Sequence, residues 1–136
     1  MLNRINVIIA LIVGAMVLNA CETTPSSEDL HKEVMVFHDD AMAHMSTLYK
    51  AKKKIESKMD AADSTATESI TSELQSQLKV VVSARNNMNT WMREFNTNYK
   101  DDLSETRKIE VLTEELKKVK DLSKEIDEAV ELSKKL

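Results

Sequence analysis

The chain has 136 residues, with 19 basic and 23 acidic side chains and a formal charge of −4, and it contains one glycine, one proline and one cysteine. The acidic balance argues against nucleic-acid binding, which needs a basic face. A lone cysteine rules out an internal disulfide and is not the usual count for a thiolate metal site. The near absence of glycine and proline leaves no phosphate-cradling loop and few tight turns.

The first element is an apolar run, Ile5 to Leu18, preceded by Arg4 and followed by Asn19, Ala20 and Cys21. The run is short for a membrane-spanning helix, which needs roughly 20 apolar residues. It has the length of a secretory h-region, and Ala20 supplies the small residue that signal cleavage requires. Leu18-Asn19-Ala20-Cys21 resembles the bacterial lipobox. Residues 1–20 are therefore expected to be a signal peptide that is removed. Cys21 becomes the lipidated N-terminus of the mature chain, carrying a covalent lipid such as palmitate and no other cofactor. Acyl chains hold such a protein to a membrane, more than one being needed for stable anchoring. Glu22, rather than an aspartate, follows the cysteine and points to the outer membrane of the cell envelope. Cleavage removes Arg4 and no acidic residue, which leaves 18 basic against 23 acidic groups, a charge of −5.

Residues 21–27 then read as a polar tether around Pro25. Residues 28–136 read as one all-α domain, since neither glycine nor proline occurs after Pro25 to interrupt a helix. The first helix is expected from Glu28 to Asp60, capped by Ser26 or Ser27. Its apolar stripe is Val34, Met35, His38, Met42, Met45, Tyr49, Ile55 and Met59, mostly at steps of three and four. Lys50, Lys52, Lys53, Lys54 and Lys58 crowd its last turns. Such a cluster invites a membrane or phosphate reading, but the plainer one is a solvated face near a helix C-terminus, where cations are favoured.

The second helix is expected after a break at residues 60–64, with Thr65 and Glu68 at capping-box spacing, and runs to Asn96. Its stripe is Ile70, Leu74, Leu78, Val81, Ala84, Met88, Trp91 and Phe95. Asn86, Asn87 and Asn89 are expected to be exposed, or one of them is a buried register-setter. The third helix is expected to start at Asp102, paired with Glu105 as a capping box, and to run to the C-terminus. Its seam is Ile109, Leu112, Leu116, Val119, Ile126 and Val130, interrupted by Ser123 and Ser133. Glu114 with Lys118, and Glu128 with Lys124, sit at salt-bridge spacing. Three helices of about 30 residues, each roughly 45 Å long, suggest an elongated antiparallel up-down-up bundle with coiled-coil-like seams crossing at about +20°. The alternative is a helical hairpin whose third helix pairs with another copy.

Two segments, Glu33-Val34-Met35-Val36-Phe37-His38-Asp39-Asp40-Ala41-Met42 and Trp91-Met92-Arg93-Glu94-Phe95, resemble a family of small bacterial lipoproteins that often carry the label "viral A-type inclusion protein". That label brings no reaction with it. The resemblance implies an all-helical lipoprotein in which His38, Asp39, Met42, Trp91 and Phe95 share a neighbourhood. Antiparallel geometry agrees, since it sets Met35, His38 and Met42 beside Met88, Trp91 and Met92.

Imidazole and thioether ligands suit Cu(I), which makes His38, Met42 and Met88 candidate metal ligands. Met35 with His38, or His38 with Met42, has spacing to share an ion. His31 lies about 10 Å from His38 along the helix and His44 lies about 120° round it, too far for the same ion. The plainer reading is a methionine-rich core end packed on Trp91, with His38 half-buried and bonded to Asp39, Asn87 or a carbonyl. No serine has a paired base and no carboxylate pair marks a cleft, so catalysis is not expected. The expected function is a lipid-anchored scaffold or interaction module with a protein partner or self-association. The alternatives are a chaperone-like client binder, using adaptable methionines, and a Cu(I)-binding lipoprotein.

Overall fold

The structure is a computed structural model and describes residues 25–62 and 68–136. The expected signal peptide, Cys21 and Thr65 lie outside the described residues. Within them the chain forms three helices and no strand: α1 (Ser27–Ala62), α2 (Glu68–Asn98) and α3 (Glu105–Ser133). All three pack against one another, α1 with α3 most extensively. The third helix therefore closes a bundle with the other two, and a hairpin lacking it is not formed.

Cross-helix contacts give the directions. Ser27, at the start of α1, donates from its backbone N–H at 3.1 Å and from its hydroxyl at 2.9 Å to the carboxylate of Glu105, at the start of α3. Lys58 near the end of α1 donates to the Leu136 carbonyl at 2.5 Å. Helices α1 and α3 thus run parallel. Helix α2 runs against them, with His31 stacked on Tyr99 and Tyr49 under Arg85.

The helix starts follow local hydrogen bonding. The Ser26 hydroxyl accepts from the Asp29 backbone N–H at 3.1 Å and donates to the Asp29 carboxylate at 2.6 Å. These bonds satisfy one of the free N–H groups of the first turn. Helix α3 is capped two residues later than the Asp102–Glu105 spacing predicts. Ser104 is its N-cap and accepts from the Arg107 N–H at 3.4 Å. Asp102 instead lies in the turn before the helix.

The core consists of three seams at seven-residue spacing. Val34, Ala41, Leu48 and Ile55 are buried on α1, Leu74, Val81, Met88 and Phe95 on α2, and Leu112, Val119 and Ile126 on α3. A strict heptad keeps one stripe facing its neighbours along a long helix. The α2 stripe agrees with the sequence reading except at Ile70, which is 50% exposed. The α1 stripe is corrected: Met42 is 37% and Tyr49 is 49% exposed, while the adjacent Ala41 and Leu48 are fully buried. One residue is a 100° rotation on a helix, so following the larger side chains selects the neighbouring face. Tyr49 instead lies at the α1–α2 edge, with the Arg85 guanidinium 5.5 Å from its ring centroid.

Two expected ion pairs are also redistributed. Lys118 turns to Glu115 at 2.8 Å rather than to Glu114, and Lys124 lies 3.8 Å from Asp121 rather than pairing with Glu128. Of the α1 lysines, Lys52 and Lys53 pair with Glu56 at 3.1 and 3.7 Å. No helix among the described residues is long and apolar enough to cross a membrane.

The corrected stripe is testable. Leu48→Ala empties a fully buried site and should cost about 2–5 kcal/mol. Ile70→Ala, half exposed, should stay within about 0.5 kcal/mol of wild type. Urea unfolding followed by far-ultraviolet dichroism separates the two. The Glu105 carboxyl is held below its ordinary value of 4.5, chiefly by the hydrogen bonds from Ser27. Its contribution is present above that value and lost as pH falls through the depressed one. Glu105→Gln should therefore flatten the acid limb of the stability profile below about pH 4.5, the ordinary glutamate range, as read by acid titration of the unfolding midpoint.

Candidate functional site

Trp91 on α2 lies at the centre of the half of the bundle where α1 begins, and it is 4% exposed. Its Nε1–H donates at 2.8 Å to Glu115 of α3. Glu115 is a carboxylate only 2% exposed, set in the core beside Leu112 and Val119. An unpaired buried charge is costly, and this one is fully engaged. It accepts also from Asn98 of α2 at 3.3 Å and from Lys118 of its own helix at 2.8 Å. The polar register-setter of the bundle is therefore Glu115. Asn86, Asn87 and Asn89 are all exposed, and Asn87 donates to Glu125 at 2.9 and 3.1 Å.

The bond to Glu115 is the main cause that raises the Lys118 ammonium above its ordinary 10.5. A raised lysine stabilises the fold fully below its unfolded value, and the contribution disappears as pH rises through the folded one.

On its other side Trp91 heads an aromatic ladder. Phe95 stacks on Trp91 with centroids 5.2 Å apart, and Tyr99 stacks on Phe95 at 5.6 Å. The spacing of four places Trp91 and Phe95 on one face of α2, and Tyr99, just past its end, continues that face through its backbone N–H bond to the Phe95 carbonyl at 2.9 Å. Two histidines of α1, one heptad apart, lie against this ladder. His31 is 5.1 Å from Tyr99 and 6.1 Å from Phe95, and His38 is 5.9 Å from Trp91. His31 and His38 thus belong to one surface although they cannot share one ion. Tyr99 and His31 were not among the residues the sequence singled out for this cluster, although the spacing Trp91–Phe95–Tyr99 is present in it.

Between α1 and α2 a groove of about 220 Å³ opens over this ladder, lined by Met35, His38, Trp91, Met92, Phe95 and Asn96. Five of the eight residues singled out in the sequence line it. The imidazole of His38 is 19% exposed; its Nδ1 lies 2.9 Å from an Asp39 carboxylate oxygen and its Nε2 3.3 Å from the Met92 sulfur. Asp39 is thus the sixth residue of the set, bonded to His38 but itself exposed. The other two are not in the groove. Met42 is exposed, and Met88 is fully buried in the core seam. Residues 33–42 and 91–95 supply opposite walls of the groove, Met35 and His38 from one, Trp91, Met92 and Phe95 from the other.

The Trp91–Glu115 pair can be measured by a double-mutant cycle. Glu115→Leu strands the indole N–H in the core and should cost about 1–3 kcal/mol. The same change in a Trp91→Phe background should cost less, with a coupling of about 0.5–3 kcal/mol, read by urea unfolding. Lys118→Met should remove the part of alkaline destabilisation that wild type shows above about pH 10.5, the ordinary lysine range. Comparisons with protein-family models, curated proteins and solved structures find no match to this chain.

Proposed function

We propose that this chain is a lipid-anchored helical protein of the cell envelope that acts as an interaction module or scaffold, without catalysis. It is held to the outer membrane through a lipidated Cys21 once residues 1–20 are removed. The observation that carries this reading is where the groove lies. It opens beside the third and fourth turns of α1, in the half of the bundle where α1 begins. Five residues lie between Cys21 and Ser27, so the two are at most about 20 Å apart at full extension. His38 is about 16 Å further along the helix.

The apolar exposure of α1 supports the same reading. Val36 is 65% exposed and Met42 is 37% exposed, in the same half of α1 as the groove. Single exposed apolar residues are ordinary, but Met42 stands one turn beyond His38 on the face of α1 that supplies a groove wall. Aromatics and methionine are the residues that interfaces favour. The core carboxylate, in turn, supports a rigid scaffold rather than a reacting group, because its oxygens already accept from Trp91, Asn98 and Lys118. The likeness of the two wall segments to the lipoprotein family is consistent with this assignment.

Two experiments test it. Cys21→Ser should abolish incorporation of labelled palmitate into the chain; label retained in the variant would refute acylation at Cys21. Crosslinked affinity capture of the lipidated protein from its own envelope should recover one partner, or a second copy, in stoichiometric yield. Val36→Glu with Met42→Glu, both at exposed positions, should abolish that recovery while leaving the fold intact. A broad set of unfolded envelope proteins would replace the scaffold reading with a chaperone-like one. A monomer with no captured protein would overturn both.

A further inference from the structure

The contact between His38 and Met92 is chemically unusual. A carboxylate without a proton can only accept, so the 2.9 Å contact with Asp39 requires the proton on Nδ1. In the neutral tautomer that the Asp39 contact selects, the imidazole carries its lone pair on Nε2, and this atom faces the Met92 thioether at 3.3 Å. Thioether sulfur is itself an acceptor. Two lone-pair donors from different helices therefore converge on the same point. Met35 stands one helical turn before His38, on the same face of α1, and lines the same groove.

We propose that His38, Met92 and Met35 bind a soft monovalent cation, Cu(I), with Trp91 covering the site. Imidazole and thioether are soft or borderline donors that select Cu(I) over hard divalent ions. Asp39 acts as the outer partner that fixes the tautomer and orientation of a metal-bound histidine. Its charge also offsets that of the cation. The Trp91 ring lies 5.9 Å, centroid to centroid, from that of His38 and lines the same groove. A metal bonded to nitrogen at about 2.0 Å and to sulfur at about 2.3 Å would hold the two roughly 3.5–4 Å apart. Met92 needs only a small side-chain adjustment to reach that spacing, and methionine is flexible enough to make it. This donor set differs from the His38–Met42–Met88 set that the sequence suggested. Met88 is sealed in the core, Met42 lies outside the groove, and Met92 takes their place. The inference does not depend on the anchoring or on any protein partner.

The test is a Cu(I) titration of the full chain in detergent, carrying Cys21→Ser to remove its one thiol, in competition with bicinchoninate. Trp91 is the only tryptophan, so its emission reports the site directly. The expected result is one equivalent of Cu(I) withdrawn from the chelator, with quenching of Trp91 emission. His38→Leu and Met92→Leu should each weaken binding by at least about tenfold, the scale of losing a metal-shell partner. Met88→Leu and Met42→Leu should leave it unchanged. Met92→Leu nearly conserves volume, so it tests the site even if replacing His38 disturbs the fold. The proposal is overturned if wild type withdraws no copper, if Met92→Leu binds as wild type does, or if Zn(II) binds as tightly as Cu(I).

Discussion

The hydrogen bond from Trp91 to Glu115 sets the relation between α2 and α3. Glu115 stands in the buried stripe of its helix, where its heptad equivalents are Lys108, Leu122 and Ala129. Trp91 has Ala84 and Asn98 as its own equivalents. A slip of α3 by one heptad would set Leu122 against the indole N–H and move the carboxylate away from its tryptophan donor. Neither group can be left unpaired in the core at low cost. One buried polar pairing thus singles out one register among several that the apolar seams would tolerate. A single polar residue in a coiled-coil seam is a known device for that purpose.

The same tryptophan faces two ways. Its nitrogen is committed to the core, and its ring forms one wall of the groove toward α1. The Glu115 bond therefore fixes the ring against which His38 lies, and Phe95 and Tyr99 stack in line behind it. The groove has a rigid aromatic wall on α2. Its other wall is more adaptable, since Met35 and the His38–Asp39 pair sit on the face of α1 closer to solvent. Thioethers stand on both walls, Met35 on α1 and Met92 beside the fixed ring on α2.

Much of the fold is legible in the sequence, because a chain with no glycine or proline after Pro25 has few ways to break a helix. Most of the α2 and α3 stripes could be read from periodicity, the exceptions being Ile70, which is exposed, and Val111, which is buried outside the expected seam. On α1 the large apolar residues and the buried ones diverge. Ala41 and Ala51 are buried, and small residues at such positions permit close approach of helix axes. Met42 and Tyr49 carry more apolar surface but point one residue away. Size misleads where close packing, rather than surface area, decides which face turns inward. Glu115 was not legible for a different reason. Glutamate on a helix is almost always exposed, and only the indole donor on another helix makes its burial tolerable. Of the groove, His38, Met35 and the Trp91–Phe95 segment could be placed by antiparallel register alone. Register could not tell Met92 from Met88, because that choice depends on which face of α2 meets the core.

The distribution of polar clamps indicates where the bundle can yield. Helices α1 and α3 are tied at one end by Ser27 to Glu105 and at the other by Lys58 to the Leu136 carbonyl, with Lys120 bonded to Glu33 at 2.6 Å between them. Helices α2 and α3 are tied by Trp91 and Asn98 to Glu115 and by Asn87 to Glu125. Between α1 and α2, among the described residues, the side-chain contacts are softer: ring stacking, the Arg85–Tyr49 contact, and the single approach of His38 to the Met92 sulfur. A side chain or an ion entering this seam displaces no oxygen-accepted hydrogen bond. Entry between either other pair would break charge-assisted bonds, which are about twice as strong as neutral ones. The seam that opens at least cost is therefore the one that carries the histidines, the thioethers and the aromatic ladder.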